Sequence, residues 1–150
     1  MKKIISIFLV LLLNACGFQP IYNSNNIEQF SLKILSTEGD KEINNFISRN
    51  LRIYTNDLYE KNYSLKINSD NKKSILTKNK QGKATDYQLT ISTNFEIISE
   101  KNNSTFEIIK NFNIKNLEDS FQEKEYERSI KQNLVNIITS ELINKISLME

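Results

Sequence analysis

The chain has 150 residues, a length that predicts one domain. It contains no histidine, no tryptophan and a single cysteine, and its 20 basic and 18 acidic side chains leave a formal net charge of +2. These numbers exclude histidine-based catalysis, histidine-ligated metal sites, an internal disulfide and a Cys-x-x-Cys motif. The near-neutral charge also argues against nucleic-acid binding, which favours a basic surplus.

The first residues have the layout of a secretion signal. Two lysines follow Met1, and an almost unbroken apolar run covers residues 4–13. This length fits the apolar core of a signal peptide, about 7–15 residues, and is too short for a bilayer, which needs about 20. A buried helix of a soluble protein is the alternative, but the run lacks the polar positions that would give such a helix an outer face.

The apolar run ends in LNACG at residues 13–17, which resembles the lipobox of bacterial lipoproteins. The resemblance implies cleavage before Cys16, diacylglycerol on its sulfur and acylation of the new amine, which together give a stable membrane anchor. Gly17 stands where aspartate would retain a lipoprotein at the inner membrane, so the outer membrane is expected. The prediction is a signal peptide over 1–15 and lipidation at Cys16. An ordinary buried cysteine behind an ordinary signal is the alternative.

Cleavage would leave a mature chain whose formal charge is zero, because Lys2 and Lys3 are removed and 18 basic side chains then face 18 acidic ones. Residues 16–29 contain the only proline and an Asn/Ser cluster, and they are predicted to form an extended tether. Residues 30–150 are predicted to form a single domain.

Apolar residues recur with period two in several segments of this domain and with helical spacing in two others. In chain order, the prediction is a strand over 30–35, a turn over 37–40, a helix over 41–55, a strand over 63–69, a polar turn over 70–73, renewed pairing over 74–77, a loop over 78–83, a strand over 85–99, a turn over 100–104, a strand over 106–114 and a helix from 120. Ser120 and Glu123 match a capping box, and an apolar stripe follows from Tyr126 to Met149.

This order, β-α-β-β-β-α, predicts the α+β fold class. Each helix has one apolar stripe, and the strands have one apolar face and one polar face. The economical arrangement is a two-layer sandwich in which both amphipathic helices pack on one face of a four-stranded mixed sheet. The polar face, rich in Gln, Thr, Ser and Asn, would then face water or a partner.

Three lysines mark the loop between two strands as the candidate ligand site. Lys78, Lys80 and Lys83 occur there without an acidic neighbour, and lysine is a mobile point charge that suits phosphate groups. The alternative is a solvated loop whose lysines bind nothing. Glu123 and Glu127 are interpreted as charges favoured near a helix N-terminus, in preference to a catalytic carboxylate pair.

Two segments and the element order resemble LptE, the lipopolysaccharide-assembly lipoprotein family. CGFQPIY at residues 16–22 resembles the CGF-x-P-[LI]-Y start of many members. GKATDYQL at residues 82–89 resembles the G-[KR]-x-x-[DE]-Y-x-[LM] segment that enters a strand in the family. The order β-α-β-β-β-α with a long last helix matches the family fold. The resemblance covers nearly all of the mature chain.

The resemblance implies an outer-membrane lipoprotein that plugs the β-barrel LptD one-to-one, helps that barrel assemble and binds lipopolysaccharide for delivery to the outer leaflet. It implies that the protein faces the periplasm and the barrel lumen. It also implies that Lys78, Lys80 and Lys83 contact lipopolysaccharide phosphates. No enzymatic activity, cofactor or metal is expected.

Two other readings of the sequence remain open. The first is an auxiliary lipoprotein of a phospholipid-trafficking ABC system, which shares the anchor and a similar α+β build. The second is a lipoprotein enzyme such as a cell-wall hydrolase. The absence of histidine and of a Gly-rich nucleophile turn disfavours the enzyme.

Overall fold

Four strands and two helices follow one another in the order β-α-β-β-β-α, which confirms the predicted fold class. The structure, a computed structural model, describes residues 30–55, 59, 61–100 and 103–149. The elements are β1 (Phe30–Gly39), α1 (Lys41–Leu51) with a 3₁₀ turn (Arg52–Tyr54), β2 (Lys61–Lys78), β3 (Ala84–Ile98), β4 (Asn103–Lys115) and α2 (Ser120–Ser147).

The strands form one mixed sheet in the order β1-β2-β3-β4. β1 runs parallel to β2 because α1 carries the chain back between them, and the other two pairs are antiparallel. The β1–β2 register starts at Phe30 opposite Lys61 and shifts between Ile34 and Ser36. β2, β3 and β4 continue well beyond the end of β1, so the β2–β3 loop lies at the end of the sheet that β1 does not reach.

The core lies between one face of the sheet and the two helices. Alternate residues of β3 point into it, as the period-two pattern predicts, and Phe95 is fully buried there. The helices contribute residues such as Ile43, Ile47 and Ile138, each with no exposed surface. Both helices thus cover the same sheet face, and Asn50 of α1 donates hydrogen bonds to Asn136 Oδ1 and Thr139 Oγ1 of α2.

A tight junction joins β1 to α1. Gly39 has φ +84°, and the next residue, Asp40, donates its N–H to Ser69 O at 2.8 Å. Asp40 also caps α1, because its Oδ1 accepts from Ile43 N at 2.9 Å. Ser69 Oγ reaches Asn44 Oδ1 at 2.9 Å, so the start of α1 is bonded to the middle of β2. The turn predicted over 37–40 is wrong in its extent, since β1 continues through Gly39.

The polar turn predicted over 70–73 is also wrong. β2 runs unbroken through this segment, and each of its residues pairs with β3, from Asp70 opposite Ser92 to Lys73 opposite Leu89. Hydrophilic composition alone suggested a turn. The strand persists because the hydrogen-bond ladder to β3 is complete there and because α2 supplies partners for Lys73.

The last helix has 28 residues, but its start differs from the capping-box prediction. Asp119 is the N-cap, and its Oδ1 accepts from Phe121 N at 2.8 Å and Gln122 N at 3.1 Å. Ser120 is the first helical residue. The predicted apolar stripe is buried at its centre, whereas Ile137 is 51% exposed and Met149 is 38% exposed.

Candidate functional site

The loop between β2 and β3, residues 79–83, is organised by one asparagine. Asn79 Oδ1 accepts hydrogen bonds from Gln81 N at 3.0 Å and Lys83 N at 2.9 Å, and Asn79 N donates to Lys83 O at 2.9 Å. Gly82 has φ +81° and donates its N–H to Asn79 O at 2.9 Å. The loop therefore has a defined backbone. This role of Asn79 was not predicted from the sequence, although an Asn shortly before a Gly is a turn signal.

The three predicted lysines come together at this loop. Lys78 is the last residue of β2, Lys80 lies in the turn, and Lys83 directly precedes β3. All three are exposed, and none forms an ion pair with a residue in the described ranges. Because the turn uses backbone groups and the Asn79 side chain, the three ammonium groups stay available to an anion in solution.

Exposed apolar side chains lie at the same end of the molecule. Ile75 and Leu76 of β2 are 52% and 46% exposed, and Phe121 in the first turn of α2 is 71% exposed. The first turn of α2 lies beside β2, since Lys73 Nζ and Glu123 Oε1 are 2.7 Å apart. We call this surface the basic-apolar tip; its residues are Ile75, Leu76, Lys78, Lys80, Lys83 and Phe121. Cations beside exposed apolar groups suit a ligand with both phosphates and acyl chains.

The base of the loop is tied by a carboxylate. Asp86 accepts hydrogen bonds from the hydroxyls of Thr77, across the hairpin, and of Thr85, the latter at 2.9 Å. These two hydrogen bonds lower the pKa of Asp86, and the positive charge of Lys115 on β4 acts in the same direction. Asp86 therefore stays ionised, and its carboxylate links β2 to β3 at the base of the loop.

An ion-pair network holds the first part of α2 against the sheet. Lys73 Nζ lies 2.7 Å from Glu123 Oε1 and 3.0 Å from Glu127 Oε2, and it sits 4.4 Å from the centroid of the Tyr87 ring. Interpreting the two glutamates only as helix-terminus charges is therefore incomplete. They fix the orientation of α2 over β2, which positions Phe121 at the tip.

The same network reaches α1. Lys131 Nζ lies 3.0 Å from Glu127 Oε1 and 3.2 Å from Glu42 Oε2. Burial alone would raise the pKa of Glu127, but hydrogen bonds from Lys73 and Lys131 outweigh it and lower that pKa. Burial opposes the charged forms of the two lysines as well, yet the glutamates raise their pKa values.

We expect this network to make stability depend on pH in a defined direction. A lowered pKa for Glu127 adds stability above the unfolded carboxyl pKa of about 4.3, and that contribution is lost as the pH falls. Replacing Glu127→Gln should cost about 1 kcal/mol at pH 7 and much less at pH 3. The lysine contributions should disappear only above about pH 10.5.

Urea unfolding at pH 7 and pH 3 measures both values. Glu125→Gln is the matched control, because Glu125 is exposed on the same helix and forms no ion pair with any described residue. It should change stability by less than about 0.5 kcal/mol at both pH values. Equal losses for the two variants at pH 7 would contradict a role for the network.

Other surfaces give weaker candidates. A shallow groove of about 250 Å³ lies between the 3₁₀ turn and α2. The side-chain amide of Asn50 on its wall already donates hydrogen bonds to Asn136 and Thr139. Within the described ranges, no cluster of three or more acidic or cysteine side chains could hold a metal ion. In the same part of the chain, no helix has the length and apolarity needed to cross a bilayer. Cys16 and the predicted tether lie outside the described residues.

Comparison with solved structures finds the same architecture in bacterial lipoproteins. Rare lipoprotein B from Shewanella oneidensis superimposes with a TM-score of 0.54 at 16% identity, over 81% of this chain and 99% of that one. An uncharacterized lipoprotein B from Nitrosomonas europaea gives 0.55 at 13% identity, over 81% and 86%. The chain has the fold of these lipoproteins.

A third structure, a putative lipoprotein from Caulobacter crescentus, gives a TM-score of 0.51 at 9% identity, over 79% of this chain and 92% of that one. No protein-family model and no curated protein matches the sequence. The likeness therefore rests on topology. All three neighbours are described as lipoproteins, and what this chain shares with them is the fold.

Proposed function

We propose that this protein is an outer-membrane lipoprotein that binds lipopolysaccharide through the basic-apolar tip. The observation that carries the proposal is the placement of Lys78, Lys80 and Lys83 on one ordered loop beside exposed apolar side chains, on a fold shared with lipoproteins. Lipopolysaccharide combines phosphorylated sugars with acyl chains. The lysines would neutralise phosphates, and Ile75 and Phe121 would contact the acyl chains.

We further propose that the chain acts without catalysis, as the plug and assembly partner of an LptD-type β-barrel. A plug in an aqueous lumen needs a polar, charge-balanced surface. The sheet face opposite the helices fits this need, because it carries Ser92 and Asn94 together with a Lys66–Glu96 ion pair at 3.0 Å. The zero formal charge expected for the mature chain also suits a plug in an aqueous lumen.

Removing two of the tip charges should weaken lipopolysaccharide binding. The double variant Lys80→Gln with Lys83→Gln loses two cations but keeps the loop, since the turn uses only the backbone N–H and C=O of Lys83. We expect binding about tenfold weaker and less sensitive to salt. Titration of lipopolysaccharide into the purified lipidated protein, followed by fluorescence or calorimetry, measures the change.

The matched control removes the same charge far from the tip. Lys33→Gln with Lys41→Gln alters two exposed lysines that form no ion pair with a described residue. This control should bind as the unaltered protein does. If both double variants bind equally well, the loop lysines are ordinary solvated side chains and the assignment of the tip is wrong.

The barrel partnership has its own test. Affinity purification of the lipidated protein from outer membranes should bring down one large β-barrel in a one-to-one ratio. The tip variant should still bring down the barrel, because the polar sheet face is unchanged. Recovery of an inner-membrane ABC system in place of the barrel would support a phospholipid-trafficking lipoprotein and contradict the plug.

A further inference from the structure

β4 forms one edge of the sheet that the described residues build. β4 pairs with β3 in an unbroken register from Asp86 opposite Lys115 to Ile98 opposite Asn103, and no strand in the described ranges lies on its other side. Sheet edges are normally shielded by prolines, bulges, short length or charged side chains. β4 has 13 residues, no proline and no register shift, and the ammonium group of its central Lys110 is paired with Glu141 of α2. A long and regular edge of this kind is a template for another strand.

One hydrogen bond shows which residues of β4 point their backbone N–H and C=O groups away from β3. Asn116 N donates to Thr85 O at 2.8 Å, which puts residue 116 in a hydrogen-bonded pair with β3. Antiparallel ladders alternate, so the even-numbered residues of β4 point their N–H and C=O at β3. The seven odd-numbered residues from Asn103 to Lys115 point theirs outward, with Ile109 at the centre.

Apolar side chains accompany these free groups on both faces. Ile109 on the outer face is 51% exposed, and Phe112 on the helix face is 42% exposed. Ile137 of α2 is 51% exposed and lies one turn before Glu141, whose carboxylate is 2.6 Å from Lys110 Nζ. That spacing puts Ile137 on the side of α2 that faces β4. Exposed apolar groups therefore flank the open ladder.

We propose that a second copy of this chain pairs antiparallel through β4, with the twofold axis at Ile109. A twofold axis perpendicular to the sheet keeps both helix layers on the same side. It places odd-numbered residues opposite odd-numbered residues and even-numbered residues opposite even-numbered ones. Centred on Ile109, it places Phe106 of each copy opposite Phe112 of the other and Ile109 opposite itself. Glu107 then faces Asn111. Aromatic and aliphatic cross-strand pairs stabilise antiparallel sheets, and this register opposes no like charges.

Neighbouring registers are less favourable. An axis at Ile108 would place Lys110 opposite Phe106, whose ring already has Lys145 Nζ at 5.1 Å from its centroid. An axis at Lys110 would oppose two lysines directly. Of these three registers, only the one at Ile109 pairs Phe106 with Phe112 and opposes no like charges. The dimer would join two four-stranded sheets into one of eight strands and cover both β4 edges.

Cross-linking tests the axis directly. Cα atoms in a hydrogen-bonded antiparallel pair lie about 5.5 Å apart, within the range of about 4.4–6.8 Å that a disulfide spans. Ile109→Cys in the lipidated full chain should therefore give a covalent dimer on mild oxidation. Glu107→Cys is the control, because the two copies of that position would be about 14 Å apart. The unaltered chain, with Cys16 alone, gives the background.

Mass measurements in detergent test the energetics on the purified lipidated chain without any barrel, so the outcome does not depend on the proposed function. The unaltered chain should have the mass of a dimer. Ile109→Lys sets two ammonium groups face to face and should raise the dimer dissociation constant by about tenfold or more. Asn111→Lys adds the same charge opposite Glu107 of the second copy, so that dimer should persist or tighten.

A monomeric mass at protein concentrations up to about 100 μM would overturn the proposal. So would a dimer that Ile109→Lys leaves intact, or equal cross-linking through Ile109→Cys and Glu107→Cys. Circular dichroism and thermal melting establish that each variant is folded. If Ile109→Lys fails to fold, the cross-linking comparison still decides, since Ile109 is half exposed and cysteine is tolerated at such a position.

Discussion

Gly39→Ala should strongly destabilise the domain. A Cβ added at this position would lie 1.9 Å from Ser69 O, and that oxygen belongs to the backbone of β2 and accepts from Asp40 N. No side-chain rotation can relieve a clash between a Cβ and a main-chain carbonyl. The substitution must therefore break the junction between β1 and α1. We expect a loss of at least about 4 kcal/mol in the free energy of unfolding, measured by urea denaturation.

The chain contains its own control for this prediction. Gly82 has a nearly identical backbone, φ +81° against +84° for Gly39, but a Cβ there would meet no atom within 4 Å. Gly82→Ala should cost only the strain of a left-handed alanine, about 1–2 kcal/mol. Equal losses in the two variants would show that backbone strain dominates and that close approach to β2 does not.

Phe95→Ala should produce the second large effect. Phe95 is fully buried near the end of β3, and its ring centroid lies 5.8 Å from that of Phe106. Truncation removes the buried ring and leaves a cavity that the sheet cannot close. Losses of about 3–5 kcal/mol are typical of such substitutions. Thermal or urea unfolding of the variant beside the unaltered protein measures the cost.

Phe121→Ala removes the same ring from an exposed position. Its side chain is 71% exposed in the first turn of α2, so stability should change by less than about 0.5 kcal/mol. If the basic-apolar tip binds acyl chains, this variant should nevertheless bind lipopolysaccharide less tightly. A large loss of stability at Phe121 would contradict the placement of this side chain outside the core.

The amino-acid pattern predicts most of this fold because the sheet has one buried face. Alternation along β3 identifies both the strand and its inward residues, and the helical spacing of α2 identifies 28 residues with a buried central stripe. The order of elements then restricts the arrangement to two layers. These features depend on local periodicity, which a single sequence carries.

The predictions from sequence are wrong where residues distant in the chain determine the local structure. The polarity of residues 70–73 predicts a turn, whereas the segment pairs with β3, and Glu123 and Glu127, some fifty residues later in the chain, neutralise Lys73 there. The helix begins at Ser120 as predicted, but its N-cap is Asp119, because either of these two adjacent residues can cap a helix and the backbone conformation decides between them.

The candidate site divides in the same way. Its lysines could be predicted, since a basic run between two strands is local information. The apolar half of the tip could not, because Phe121 reaches the neighbourhood of Ile75 only through the packing of α2 on β2. Asn79 could be predicted only in part. That an asparagine favours a turn is local information, but its hydrogen bonds to Gln81 and Lys83 form only when the loop is closed.

The length of β2 also sets the distance between the point where the chain enters the domain and the loop lysines. β1 begins at Phe30 opposite Lys61, at the end of β2 remote from Lys78, so the chain enters the domain at one pole and the loop lysines occupy the other. The 18 residues of β2 span about 60 Å at roughly 3.3 Å per residue. The length of β2, more than any single contact, therefore determines how far the positive charge of the loop lies from the point where the chain enters the domain.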